Sequence, residues 1–168
     1  MKKLNLLYVF ACMQLVLGSC QKNDEPAPSD TVVGKWQAVS AKGKIAVFGT
    51  NEDINENVEQ QGLIYEFKAD GTFISNGTLN EEGTVEKVAI TGKYTVTGDE
   101  LKISYRENGQ TKDTAEYYKL GLTGNTITLT LTKDLLTKAV NEGDPTGTGA
   151  LLLSFISSLD ITFTFKKI

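Results

Sequence analysis

From Thr31 onward the chain alternates apolar and polar residues with a period of two rather than 3.6, which is the signature of half-buried β-strands. In "GLIYEFKADGTFISNG" Tyr65 and Phe67 share one face and Glu66 and Lys68 the other. The "ADG" turn leaves Gly71 free to adopt positive φ, and Phe73 returns to the first face. "GKYTVTGDELKISY" repeats the device, with Tyr94 and Val96 before a "GD" turn and Leu101, Ile103 and Tyr105 after it. In "YYKLGLTGNTITLTLT" Tyr118, Leu120 and Leu122 lead to a "GN" turn, and Ile127, Leu129 and Leu131 return against Thr126, Thr128 and Thr130. "DITFTFKKI" closes the series with Ile161, Phe163 and Phe165 on one face. Antiparallel hairpins of this kind must hide their apolar faces, in a sandwich or in a closed barrel. With strands in "VVGKWQAVS" and around "KIAVF" the total is about eight, the number at which a barrel interior holds side chains or one small ligand. The fold expected is all-β, an up-and-down antiparallel barrel.

Two segments break this rhythm. "NEDINENVEQQG", residues 51–62, is polar and acidic and reads as a long loop or a short surface helix with Ile54 and Val58 on one side, placed to act as a lid. "KDLLTKAVNEGDPTGTGALLLSFISSL" carries Leu135, Leu136, Ala139 and Val140 at helical spacing, then a Gly/Pro loop, then an apolar run ending near Leu159. It predicts a short helical segment before the last strand, packed outside the sheet or plugging one end.

The N-terminus carries an address. Lys2 and Lys3 precede the apolar "LNLLYVFACMQLVLG", so residues 1–19 read as a signal peptide, too short for a membrane span. "LGSC" resembles the lipobox of bacterial lipoproteins, with Leu17 at the recognition position and Cys20 as the first mature residue. That resemblance implies a diacylglycerol thioether on Cys20 and an acylated amino terminus, hence an anchor rather than a span. "QKNDEPAPSD" has no apolar residue beyond alanine, which makes residues 20–30 a flexible tether. Residues 31–168 form the folded domain. "QKNDE" also looks like the acidic export signal of surface lipoproteins of the Bacteroidetes. The expected location is the cell envelope, lipid-anchored in the outer membrane, on its surface or its periplasmic face.

Charge and composition narrow the chemistry. The 168 residues include a single arginine, Arg106, and carry a net charge of −4, so no cationic face for nucleic acid is expected. There is no histidine, which removes the usual general base near neutral pH and the commonest zinc ligand. Both cysteines, Cys12 and Cys20, lie in the N-terminal segment, leaving the domain neither disulfide nor thiolate nucleophile. Asp53, Asn55, Asn57 and Glu59 alternate like calcium-loop ligands, but Glu56 stands where such a loop needs glycine. "GDPTGTGALLL" lacks the Gly-Lys-Ser/Thr ending of a phosphate loop. "DTV" at Asp30 to Val32 and "DTA" at Asp113 to Ala115 resemble the short glycosylation sites of Bacteroidetes secreted proteins. Aspartates and glutamates fall mainly in turns and on the polar phase, so Glu66 and Glu116 are expected to face outward. No enzyme, metal or cofactor is predicted.

"VVGKWQAVS" resembles the first-strand Gly-x-Trp motif of lipocalins, here Gly34, Lys35 and Trp36. With the "YEFKADGTF" and "GKYTVTGDELKI" hairpins, the whole of residues 31–168 is similar to the lipocalin-like domain of Bacteroidetes lipoproteins. The second lipocalin motif, Thr-Asp-Tyr, has no counterpart, since Asp113 and Tyr117 in "TKDTAEYYKL" stand at another spacing. The resemblance implies that Trp36 plugs the closed end of the barrel, covered by a basic side chain of the last strand. Strand phase selects Lys167, with Lys166 the alternative. Tyr65, Phe67, Phe73, Tyr94, Tyr105, Tyr118 and Phe163 are the candidate ligand-binding residues, as core or as pocket lining. Two functions follow as expectations: a binding protein for a small apolar ligand, or an accessory lipoprotein with a filled barrel that contacts another envelope protein or a glycan.

Overall fold

The alternating segments do form strands, and their pairing closes on itself. The structure, a computed structural model, describes residues 32–79, 85–86, 89–106, 113–143 and 148–168. The signal peptide, Cys20 and the tether lie outside the described residues. The strands are β1 (Gly34–Val47), β2 (Thr50–Asn57), β3 (Ile64–Phe67), β4 (Thr72–Ser75), β5 (Thr78–Leu79), β6 (Val85–Glu86), β7 (Ile90–Thr97), β8 (Glu100–Tyr105), β9 (Thr114–Thr123), β10 (Thr126–Thr132) and β11 (Ile156–Lys167). Helices α1 (Lys133–Gly143) and α2 (Thr148–Phe155) precede β11. Neighbours run β1, β3, β4, β7, β8, β9, β10, β11, and β11 pairs back onto β1. The result is a closed, eight-stranded, up-and-down antiparallel barrel, with the short β5–β6 pair outside it. Among the described residues no helix is long and apolar enough to cross a membrane.

Tight turns fix the register at one end. Gly71, Gly98 and Gly124 take φ of 78°, 61° and 57°, the left-handed region that costs glycine nothing. In the first turn Asp70 Oδ1 accepts the Thr72 amide at 2.8 Å. The inward faces meet in a core that includes Trp36, Phe67, Leu101, Ile103, Ile127 and Phe165. Fully burying each such side chain contributes roughly 1.5–3 kcal/mol.

Three expectations need correction. "VVGKWQAVS" and "KIAVF" are not two strands but one 14-residue strand, β1, carried past its polar middle by a bulge between Ala38 and Ser40 and by continuous pairing with β11. Gly43 permits that closeness, since a Cβ there would overlap the Asp160 carbonyl oxygen. Residues 51–62 are neither loop nor surface helix for most of their length. Thr50–Asn57 form β2, paired along the edge of β1 from Val47↔Thr50 to Ser40↔Asn57, and only Glu59–Gln61 make a single 3-10 turn. The edge of β1 left free beyond β3 supplies backbone partners for a polar segment that needs no buried face. The apolar run before the C-terminus also divides earlier than expected, with α2 ending at Phe155 and Ile156 to Leu159 already in β11. The backbone partners offered by β1 at Ile45 to Val47 take these residues into the sheet.

The β1–β2 hairpin turns through Phe48 and Gly49 at φ 51° and 77°, both positive, as a two-residue hairpin requires. A phenylalanine in that region is sterically costly. Phe48 is held there by its amide, which donates to the Phe155 carbonyl at 2.9 Å, and by its ring, 4.6 Å from that of Phe155.

Candidate functional site

Strand phase decides which side chains enter the barrel. Leu101 pairs with Tyr118 and Ile103 with Glu116, and both Leu101 and Ile103 are fully buried. Tyr118 and Glu116 therefore face inward together, while Tyr117 and Ala115 face outward. The expectation that Glu116 points outward is corrected by this pairing. Residues two apart on a strand share a face, so alternation outranks the preference of carboxylates for solvent. Glu66 does lie on the outer phase, 3.7 Å from Lys35.

Inside the barrel is a cavity of about 170 Å³. Its apolar wall is Ala38, Leu63, Leu129, Phe163 and Phe165, and its polar wall is Tyr65, Tyr118 and Glu116. Tyr105 Oη donates to Glu116 Oε1 at 2.8 Å, and Tyr118 Oη donates to Glu116 Oε2 at 2.9 Å. Each carboxylate oxygen thus accepts one phenolic proton. The Tyr65 ring packs edge-on against Phe73 at 5.0 Å and tilted against Phe165 at 4.9 Å. Burial pushes the Tyr65 phenol far above its usual value, and the Glu116 charge adds to the effect. Tyr118 is pushed up for the same two reasons in the same order. Both phenols therefore stay protonated and can donate.

The structure divides the candidate lining residues. Tyr65, Tyr118 and Phe163 line the cavity, and Tyr105 reaches it through Glu116. Phe67, Phe73 and Tyr94 do not line it. Their rings stack together toward the closed end, with Phe67 5.3 Å from Phe73 and 5.0 Å from Tyr94, and the Tyr94 hydroxyl donates to the Lys68 carbonyl at 2.8 Å. At that end Trp36 is 1% exposed and its indole N–H donates to the Val32 carbonyl at 2.8 Å. Lys167 Nζ lies 5.3 Å from the Trp36 ring centroid, within cation–π range. Gly34 is what lets Lys167 in, since a Cβ there would meet Lys167 Cε at 2.9 Å. Lys166, the alternative, stands across from Gln37, whereas Lys167 is the cross-strand partner of Trp36.

Of the lining residues, Glu116, Leu63 and Ala38 had not been placed on the inner face, whereas Leu129 and Phe165 had been placed there but not named as ligand-binding candidates. Glu116 had a signal, its spacing of two from Tyr118. Leu63 had the same signal, its spacing of two from Tyr65, but it lies just outside β3, after the 3-10 turn and the left-handed Gly62, φ 68°. Among the described residues no three His, Cys, Asp or Glu side chains converge as a metal site.

The sequence profile of the lipocalin-like domain family matches residues 32–129. Among curated proteins none matches significantly. Two crystal structures are similar. A lipocalin-like protein from Bacteroides uniformis is 17% identical, with 82% of this chain and 99% of that one covered and a TM-score of 0.42. An uncharacterized protein from Bacteroides eggerthii is 16% identical, with 81% and 98% covered and a TM-score of 0.40.

Proposed function

The chain belongs to the lipocalin-like domain family, and from that premise we propose that it is a lipid-anchored binding protein of the bacterial envelope, holding a small, largely apolar ligand inside its barrel. The observation that carries this reading is the cavity of about 170 Å³ between Leu63, Leu129, Phe163 and Phe165. A cavity of about 150 Å³ accepts a benzene ring, so a group of that size fits inside the barrel. The reading assigns no reaction to the barrel. Lipidation of Cys20 would hold the domain near the outer membrane, where such a ligand is met.

Native mass spectrometry of protein purified from its own host tests the proposal. A small bound species is expected in the wild type and absent from Leu129→Trp, which fills the cavity. Protein free of any bound species, whose melting temperature no benzene-sized compound moves, would remove the reading.

A second reading, an accessory lipoprotein that contacts another envelope component, is favoured by a separate feature. Phe48 is 74% exposed, Leu151 60% and Phe155 38%; Leu151 and Phe155 lie one turn apart on α2, and Phe155 stacks on Phe48. Exposed apolar groups held in place in this way are typical of contact surfaces.

A further inference from the structure

The polar features of the cavity are unequal in sign. Its only charged lining residue is Glu116, and no lysine or arginine lines it among the described residues. Lys102 and Lys138 lie on the outer face of the barrel with Glu142 and Glu100, and Lys167 is engaged at Trp36. The two protein donors to Glu116 are neutral phenols, one on each oxygen. A carboxylate has about four lone-pair positions, so two acceptor positions remain. Beside it the Tyr65 hydroxyl makes no hydrogen bond among the described residues, although its ring is packed on two sides. A cavity-facing carboxylate with open acceptor positions and no cation beside it among the described residues is a ready partner for an incoming cation.

Resting on the small-ligand reading above, we infer that the barrel selects a small organic cation, a primary amine on a ring or short apolar body, through Glu116. The ammonium donates to the open positions of the Glu116 carboxylate and to the Tyr65 oxygen. The apolar body fills the space between Leu63, Leu129 and Phe163. A carboxylic acid of the same size is rejected, since its charge would face that of Glu116 with no cation between them. An alcohol keeps one hydrogen bond and loses the charge pairing.

Calorimetric titration of the full mature chain with toluene, benzyl alcohol, benzylamine and benzoate separates the outcomes. Benzylamine is expected to bind at least about tenfold tighter than benzyl alcohol, a gap on the order of 1.4 kcal/mol, and benzoate not at all. Glu116→Gln should lower benzylamine affinity by about that factor and toluene affinity by much less. Tyr118→Phe, which frees one carboxylate oxygen without altering the charge, should retain or strengthen benzylamine binding, whereas a merely structural role for the pair would weaken all ligands together. If benzoate binds as well as benzylamine, or Glu116→Gln leaves benzylamine unaffected, the charge selection is wrong while toluene binding keeps the small-ligand reading. If none of the four binds, both fall.

Discussion

Trp36 joins the two ends of the domain at one point, through the Val32 carbonyl on its indole N–H, Lys167 over its ring and Gly34 beneath that lysine. Replacing it with alanine should cost roughly 3–5 kcal/mol, read as a lower urea midpoint with unchanged slope. Tyr65 and Tyr118 make a prediction about pH. Their folded-state values lie above the ordinary 10.0, so below pH 10 both folded and unfolded chains hold these protons and the stabilisation is fully present. As pH rises beyond 10 the unfolded chain releases them first, and stability falls. Denaturant midpoints measured from pH 8 to 11 should decline above 10, and less steeply in Tyr65→Phe. The inward phenylalanines and tyrosines were legible in the sequence because period two sorts them without reference to any partner strand. Glu116 was legible by the same spacing, yet the ordinary preference of a carboxylate for water points the other way. Only the pairing of Ile103 with Glu116 decides between the two signals.

Helix α1 shows how an element can alter the rules of the face that it covers. Tyr117 lies on the outer phase of β9 but is only 5% exposed, because α1 lies over it. Lys138 Nζ stands 4.2 Å and Lys102 Nζ 5.4 Å from its ring centroid, and its hydroxyl donates to Glu142, which also pairs with Lys102 at 2.5 Å. The Lys102 ammonium, and after it the Tyr117 hydroxyl, hold the Glu142 carboxyl below its usual range. The docking that Glu142 supports is therefore present above the ordinary glutamate value of 4.5 and is lost as pH falls through the lower folded one. Amide exchange across 133–143 should accelerate on acidification well before that of β10, and Glu142→Ala should show the fast exchange already at pH 7. The helix itself was readable from Leu135, Leu136, Ala139 and Val140. Its seat was not: period two puts Tyr118 inward and Tyr117 outward, but no local pattern says that a helix covers the outer one. Strand β2 escaped the reading for a related reason. "NEDINEN" lacks an apolar face, and its strand character comes from the edge of β1 beside it.

At the scale of the whole molecule the barrel and its proposed anchor set a working distance. Strand β1 starts at Gly34, 14 residues beyond Cys20, a reach of at most about 50 Å. Substituting Cys20→Ser should move the protein from the membrane fraction to the soluble fraction while leaving its melting temperature unchanged, as seen by fractionation and calorimetry. If the variant stays in the membrane fraction, the lipid anchor is wrong. The turns at Gly71, Gly98 and Gly124 and the Gly34–Trp36 start were specified locally, by residues whose backbone freedom or bulk has one good use. So were the antiparallel hairpins of an all-β fold and the phase of Lys167, because alternation and turn chemistry act between near neighbours. Closure of β11 onto β1, the inward carboxylate, the outer tyrosine under α1 and the size of the cavity were left to the tertiary structure. Each depends on which distant strand or helix supplies the opposite wall, and burial, unlike periodicity, is a property of the pair and not of the segment.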